Sequence, residues 1–374
     1  MSIAFDEQRW RQTKESYGQW WAGTLGRPII SVTVGGYDAG RPEPSLPGYG
    51  FHSFYGPAVT PEEIVDRWDY DLGTQRYLGD AFPAVFPNFG PGVAAAFIGC
   101  ELRNAESTVW FHPQTPTPIA SLHLAPAAGE PYWFTRIRDL MAAAMERWQG
   151  LVQVGMTDLG GNLDIAASFL PGEQLLLDLY DSPDEVTRLA WEGHEVWWHY
   201  FDEFNRVLQP TNPGYTTWAQ IFSEEPYYML QCDFCYMLSP AMFDAFVRPE
   251  LAASCRRLAN AFYHLDGIGQ LPHLDSLLEI PDLKGVQWVP GDGQPDITQW
   301  PDVYRKIHNA GKRIQFFTNQ SPLGLRALDV IADQIGSAEG ICMIGGASRA
   351  QEDEVLALIA KYGGASQGHR GRAT

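Results

Sequence analysis

Ala261–Leu265 reads AFYHL, Gly285–Val289 reads GVQWV, Arg313–Thr318 reads RIQFFT and Gly340–Ile344 reads GICMI. These are four short apolar, β-branched and aromatic runs. Between them lie the amphipathic segments Leu271–Leu278, Trp300–Asn309 and Leu323–Ile335. Strand-length runs alternating with helix-length segments indicate βα units on a parallel sheet. The pattern extends outward from this stretch. Glu352–Lys361 predicts a closing helix, and Tyr228–Asp233 (YMLQCD) predicts a strand before a long helix that Ser239-Pro240 opens and that runs to about Ala259.

Further upstream, Ile29–Val34 (IISVTV), Phe82–Phe86 and Leu151–Met156 (LVQVGM) supply three more strands. Helices are expected over Arg136–Gln149, Leu175–Tyr180 and Pro183–Val207, with 93–130 as an insertion or hairpin whose most strand-like piece is Thr108–Phe111. Eight strands separated by helices predict an α/β fold, a TIM-like (β/α)8 barrel over residues 1–365, followed by a frayed polar tail, 366–374. An open, doubly wound sheet is the alternative.

Composition narrows the function. The 374 residues hold 26 Lys and Arg against 45 Asp and Glu, a formal charge of −19. Such a chain lacks the basic footprint that nucleic acid or an anionic membrane surface requires. No apolar run approaches the ~18 residues of a membrane span. The five cysteines are scattered and odd in number, which is no disulfide framework and favours the cytoplasm. The 13 Trp residues serve a large core and can also cover ring faces.

In parallel barrels chemistry gathers at the C-terminal ends of strands. There the sequence places Asp158, Asn162 and Asp164 after strand three, Gln231 and Asp233 after four, and His264 and Asp266 at five. Gln287, Trp288 and Asp292 follow at six, and Thr318 and Asn319 at seven. Period-2 alternation puts His264 and Asp266 on one side of their strand. Asp233 ends the neighbouring strand, so Asp233, His264 and Asp266 are the expected catalytic centre. Asp158, Asn162, Trp218, Gln287, Trp288, Asp292 and Asn319 are the expected substrate contacts. Other signals fail: Cys232 and Cys235 have zinc spacing but no second pair, and His194 and His199 lie five apart on a helix, on different faces.

From Leu151 to Lys361 the chain resembles the uroporphyrinogen decarboxylase superfamily, which also holds zinc-dependent corrinoid:coenzyme M methyltransferases. The resemblance rests on the SPxxFxxFxxP-type helix in Ser239–Glu250 (SPAMFDAFVRPE), on His264-Leu-Asp266-Gly267, on Gly285–Trp288 and on the final Gly-rich turn. It implies a barrel of the uroporphyrinogen decarboxylase type. The decarboxylases' N-terminal arginine motif is missing, which disfavours a polycarboxylate tetrapyrrole substrate. The methyltransferases hold zinc with His-x-Cys and a later Cys. Here the corresponding residues are His264, Asp266 and, near the expected place, Cys342, so zinc or another divalent metal is the implied cofactor.

Two enzymatic readings follow. One is acid–base chemistry on a small polyhydroxylated, sugar-like substrate, glycosidic cleavage or elimination, with or without a metal. The other is zinc-dependent methyl transfer with a corrinoid protein as partner. A catalytically silent binding barrel is a third class.

Overall fold

The computed structural model describes residues 3–170 and 173–364, so the expected tail lies outside the described residues. The strands in chain order are β1 (Ile29–Gly35), β2 (Gln75–Gly79), β3 (Ala84–Val85), β4 (Cys100–Asn104), β5 (Val109–Pro113) and β6 (Gln153–Val154). They continue with β7 (Tyr227–Leu230), β8 (Asn260–Asp266), β9 (Leu283–Val289), β10 (Arg313–Phe317) and β11 (Ile341–Ser348). Seven of them form one sheet in the order β2-β1-β11-β10-β9-β8-β7, parallel throughout except for β2. β3 and β6 form a separate parallel pair, and β4 and β5 an antiparallel hairpin within the expected insertion. The fold is therefore mixed α/β around a mainly parallel sheet.

All eight expected parallel strands are present, as β1, β3, β6, β7, β8, β9, β10 and β11. Their backbone ladder, however, does not close into a barrel among the described residues. Two local causes are visible. The antiparallel strand β2, which the alternating pattern does not predict, occupies the free edge of β1. β3 is flanked by Pro83 and Pro87, which have no N–H to extend a ladder. On its other side β6 meets the loop segment 212–216 instead of a strand, with one backbone bond, from the Met156 N–H to the Thr216 carbonyl at 2.9 Å, and several side-chain bonds. Asn212 accepts the Val154 N–H at 3.0 Å, and Gln153 bonds Gly214 in both directions, at 2.8 and 3.0 Å.

A helix over Glu7–Ala22, also unread, begins at Asp6, whose carboxylate accepts the Arg9 N–H, and ends at Gly23. Its buried face (Trp10, Tyr17, Trp20) meets Phe82, Phe222 and Phe262, closing the end of the sheet where the parallel strands begin. The expected helix from Ser239 is broken by a π turn, Phe243–Val247, before Arg248–Arg257. Pro249 cannot donate to the ladder there, and the wider turn accommodates it. One hydrophobic cluster runs from Ile3 to Ile359. Among the described residues no helix is long and apolar enough to cross a membrane.

Candidate functional site

The last residues of β8 set the site. His264 and Asp266 project to the same side, with His264 Nε2 3.7 Å from Asp266 Oδ2. β7 stops at Leu230, and the chain enters a 3-10 turn, Asp233–Met237, that carries Asp233 to the same place. One ligand atom from each of Asp233, His264 and Asp266 lies within 4.8 Å of the others. The structure thus brings the three expected catalytic residues together at the C-terminal ends of adjacent strands.

Asp164 pins that turn. Its carboxylate accepts the N–H groups of Asp233 (3.0 Å), Phe234 (2.7 Å) and Gly161 (3.2 Å). Gly161 is required by close approach, because a Cβ there would stand 2.3 Å from the Gln231 carbonyl oxygen. Burial and then the Asp233 charge raise the Asp164 pKa well above the usual carboxylate range, against the pull of its three N–H donors.

His264 is oriented from behind. Its Nδ1–H donates to Gln287 Oε1, and the Gln287 amide in turn donates to Gln315 Oε1. The relay points Nε2 at the carboxylates, the arrangement in which outer-shell amides fix a histidine's tautomer. Desolvation lowers the imidazole's proton affinity, but Asp266, Asp233 and Gln287 outweigh it and raise the pKa. Desolvation, with Asp266 and Asp158 adding like charge, raises that of Asp233 against the pull of His264. Asp158 is buried behind the cluster, accepts the Gly160 N–H at 2.9 Å, and is raised to about 6, mainly by burial.

Trp218 stands edge-on to His264, ring centroids 4.8 Å apart, with a buried indole N–H that has no hydrogen-bond partner among the described residues. Beyond it, Phe317 borders a cleft of about 630 Å3 whose polar lining is uncharged: Thr33, Gln75, Gln220, Thr318, Asn319 and Ser321 among others. Asn319 lines this cleft, which contains none of the three residues of the cluster. Gln287 acts through His264. Tyr236, which the sequence reading passed over, lies flat over Gly267 and Gly269 beside the cluster and is 48% exposed. A Cβ on Gly267, whose φ is +81°, would fall 2.8 Å from that ring.

Four expected residues fall elsewhere. Trp288 alternates with Gln287 and therefore points to the other face of β9, fully buried against Trp300. Asn162 begins the helix Asn162–Phe169 and meets Gly193 of the helix Pro183–Leu208. Asp292 remains on an exposed loop outside the cluster. Cys342 is the second residue of β11, at the far end from the cluster, and buried, with its thiol pKa pushed well up by burial. It is not a ligand of this centre. No protein-family model matches the chain, and no curated protein matches it.

Proposed function

We propose that the chain is an enzyme that acts on a small polyhydroxylated, sugar-like substrate by acid–base chemistry at Asp233, His264 and Asp266, with a divalent cation held by the same residues. We further infer that the two parallel sheets are arcs of one (β/α)8 barrel of the uroporphyrinogen decarboxylase type. The count and order of the strands and the Ser239–Glu250 motif support that ancestry.

The observation that carries the functional reading is the convergence of two carboxylates and an oriented imidazole within 4.8 Å. The donor set suits a cation that prefers oxygen and nitrogen, while the distant, buried Cys342 leaves the thiolate zinc set of methyl transfer unassembled. When bound, such an ion polarises a coordinated oxygen and stabilises negative charge on it. The protein's own groups do the rest. When no ion is bound there, Asp233, whose proton affinity burial and the neighbouring carboxylates raise, is the group placed to deliver a proton to a leaving oxygen. In that ion-free centre neutral His264 Nε2, or Asp266 beside it, takes the proton of the attacking water or hydroxyl, so one proton is taken up as Asp233 gives one away. The neutral hydroxyl and amide lining of the adjoining cleft matches the hydroxyls of a sugar and offers no counter-charge to a carboxylate substrate.

The test is substrate depletion over a panel of glycosides and polyols, with magnesium, manganese or zinc supplied after chelation. Asp233→Asn and Asp266→Asn keep the volume and remove the charge, so each should cut turnover by at least ~10²-fold while the fold survives. Turnover equal to wild type in both variants would make the cluster architectural. Rates indifferent to chelation would remove the cation.

A further inference from the structure

A second cleft, of about 670 Å3, lies beside β2 and does not include the cluster described above. Gln75 and Tyr77 line the uncharged cleft, so strand alternation turns Arg76, between them, to the opposite face of β2. There Arg76 meets Tyr37, just beyond β1, and Arg349, at the start of the last helical segment. Their guanidinium carbons lie 4.4 and 5.2 Å from the Tyr37 ring centroid. Arg9 forms the inner wall. Its guanidinium donates to the carbonyls of Tyr77 at 3.1 Å and Gly79 at 3.0 Å, and its buried Nε–H has no hydrogen-bond partner among the described residues.

Charge sets this cleft apart from the uncharged one. Many arginines elsewhere find carboxylates, among them Arg27 with Asp80, Arg67 with Asp71, Arg147 with Asp69 and Arg188 with Glu192, although among the described residues Arg136, Arg256, Arg313 and Arg326 do not. Among the described residues Arg9, Arg76 and Arg349 have no carboxylate within ion-pair distance. The cleft's two acids are already engaged: Glu352 accepts the Tyr37 hydroxyl, and Asp6 caps its helix through the Arg9 N–H. Three guanidinium groups thus border one cavity with donors to spare. Planar guanidinium forks match the oxygens of phosphate and carboxylate groups.

We propose that this cleft is a binding site for a small oxyanion, a phosphate- or carboxylate-bearing molecule held by Arg76 and Arg349 against Tyr37, with Arg9 behind them. The site is independent of the acid–base centre, and its ligand need not be a substrate. Titration calorimetry on the full chain at low salt tests it, with pyrophosphate in one arm and citrate in the other. One of the two should bind, with affinity falling as salt rises, and the arm that binds identifies the oxyanion class. Arg76→Gln combined with Arg349→Gln should weaken binding by at least about tenfold, whereas Asp266→Asn should leave it unchanged. Arg349 is exposed, so Arg349→Gln alone carries the test if the double variant does not fold. No binding of either probe up to about 10 mM, or binding unaltered in the folded arginine variant, would overturn the proposal.

Discussion

The two halves of the molecule solve the same structural problem differently. From β7 to the final helix, Glu352–Lys361, each strand is parallel to its neighbour and separated from it by helical segments. From β1 to β6 the parallel strands β3 and β6 shrink to two residues, a hairpin intervenes, and Asn212 and Gln153 tie β6 to the loop segment that follows the long helix. The regular half supplies His264, Asp266 and the glutamine relay behind them. The irregular half supplies Asp158, Asp164 and Trp218, which shape the ground around them. Two of the three candidate ligand residues, His264 and Asp266, come from the ladder, and the third, Asp233, comes from a turn that Asp164 of the irregular half holds in place.

The sharpest way to break this division is Asp164→Ala. It would strand three backbone N–H groups at once, each costing about 1–3 kcal/mol where burial is complete. Asp164 is partly open at the surface, so a loss near about 4 kcal/mol is expected, with water making up the remainder. Urea denaturation would measure it. A second readout separates fold from site: any variant protein that remains folded should have lost affinity for added manganese, because Asp233 is no longer held in place. A fully stable variant that keeps wild-type metal affinity would show that the turn is held by something else.

Legibility in the sequence follows the same division. Period-2 alternation in Asn260–Asp266 was enough to place His264 beside Asp266, and the closing helix, Glu352–Lys361, has the bounds its periodicity predicts. The same rule, carried one strand further, would have turned Trp288 away from Gln287 and into the core. Cys342 could likewise have been set at the start of its strand rather than at the mouth. The helix Glu7–Ala22 had readable signals in Asp6 and Gly23. β2, the two-residue strands and the reach of Asp164 to Phe234 had none. They depend on pairings about 40 to 70 residues apart that no local pattern encodes.

Asp158 tests how far the irregular half tunes the site. Its folded pKa of about 6 stands above the ordinary 3.8, mainly because burial disfavours the charge. The folded protein therefore binds this proton more tightly than the unfolded chain does. The group's contribution is most favourable below about pH 4 and is lost as pH rises through about 6. A shift of about two units corresponds to about 3 kcal/mol. Asp158→Asn removes the titration, so relative to wild type the variant should gain about that much stability between pH 4 and pH 7, measured by urea unfolding across the range. Parallel curves for the two proteins would mean that Asp158 is solvated in the native state.

The smallest expected effect lies in the regular half. Gln287→Leu fills much the same space but removes the oxygen that accepts the His264 Nδ1–H, along with the donor to Gln315. His264 then loses the contact that fixes its tautomer, and Nδ1–H and Nε2–H forms compete. Only the form with a free Nε2 can face Asp266 as a ligand or base. Loss of such an outer-shell partner ordinarily weakens metal affinity by about 10–100-fold, or about 1.4–2.7 kcal/mol. Metal titration by calorimetry is the direct measurement, and Gln287→Glu sharpens it. A carboxylate at that position still accepts the Nδ1–H and makes the imidazole more basic, so affinity should return to wild type or exceed it. If leucine and glutamate variants bind manganese alike, the imidazole is oriented by Trp218 packing rather than by the relay. The regular half would then depend on a residue from the irregular one even for its central ligand.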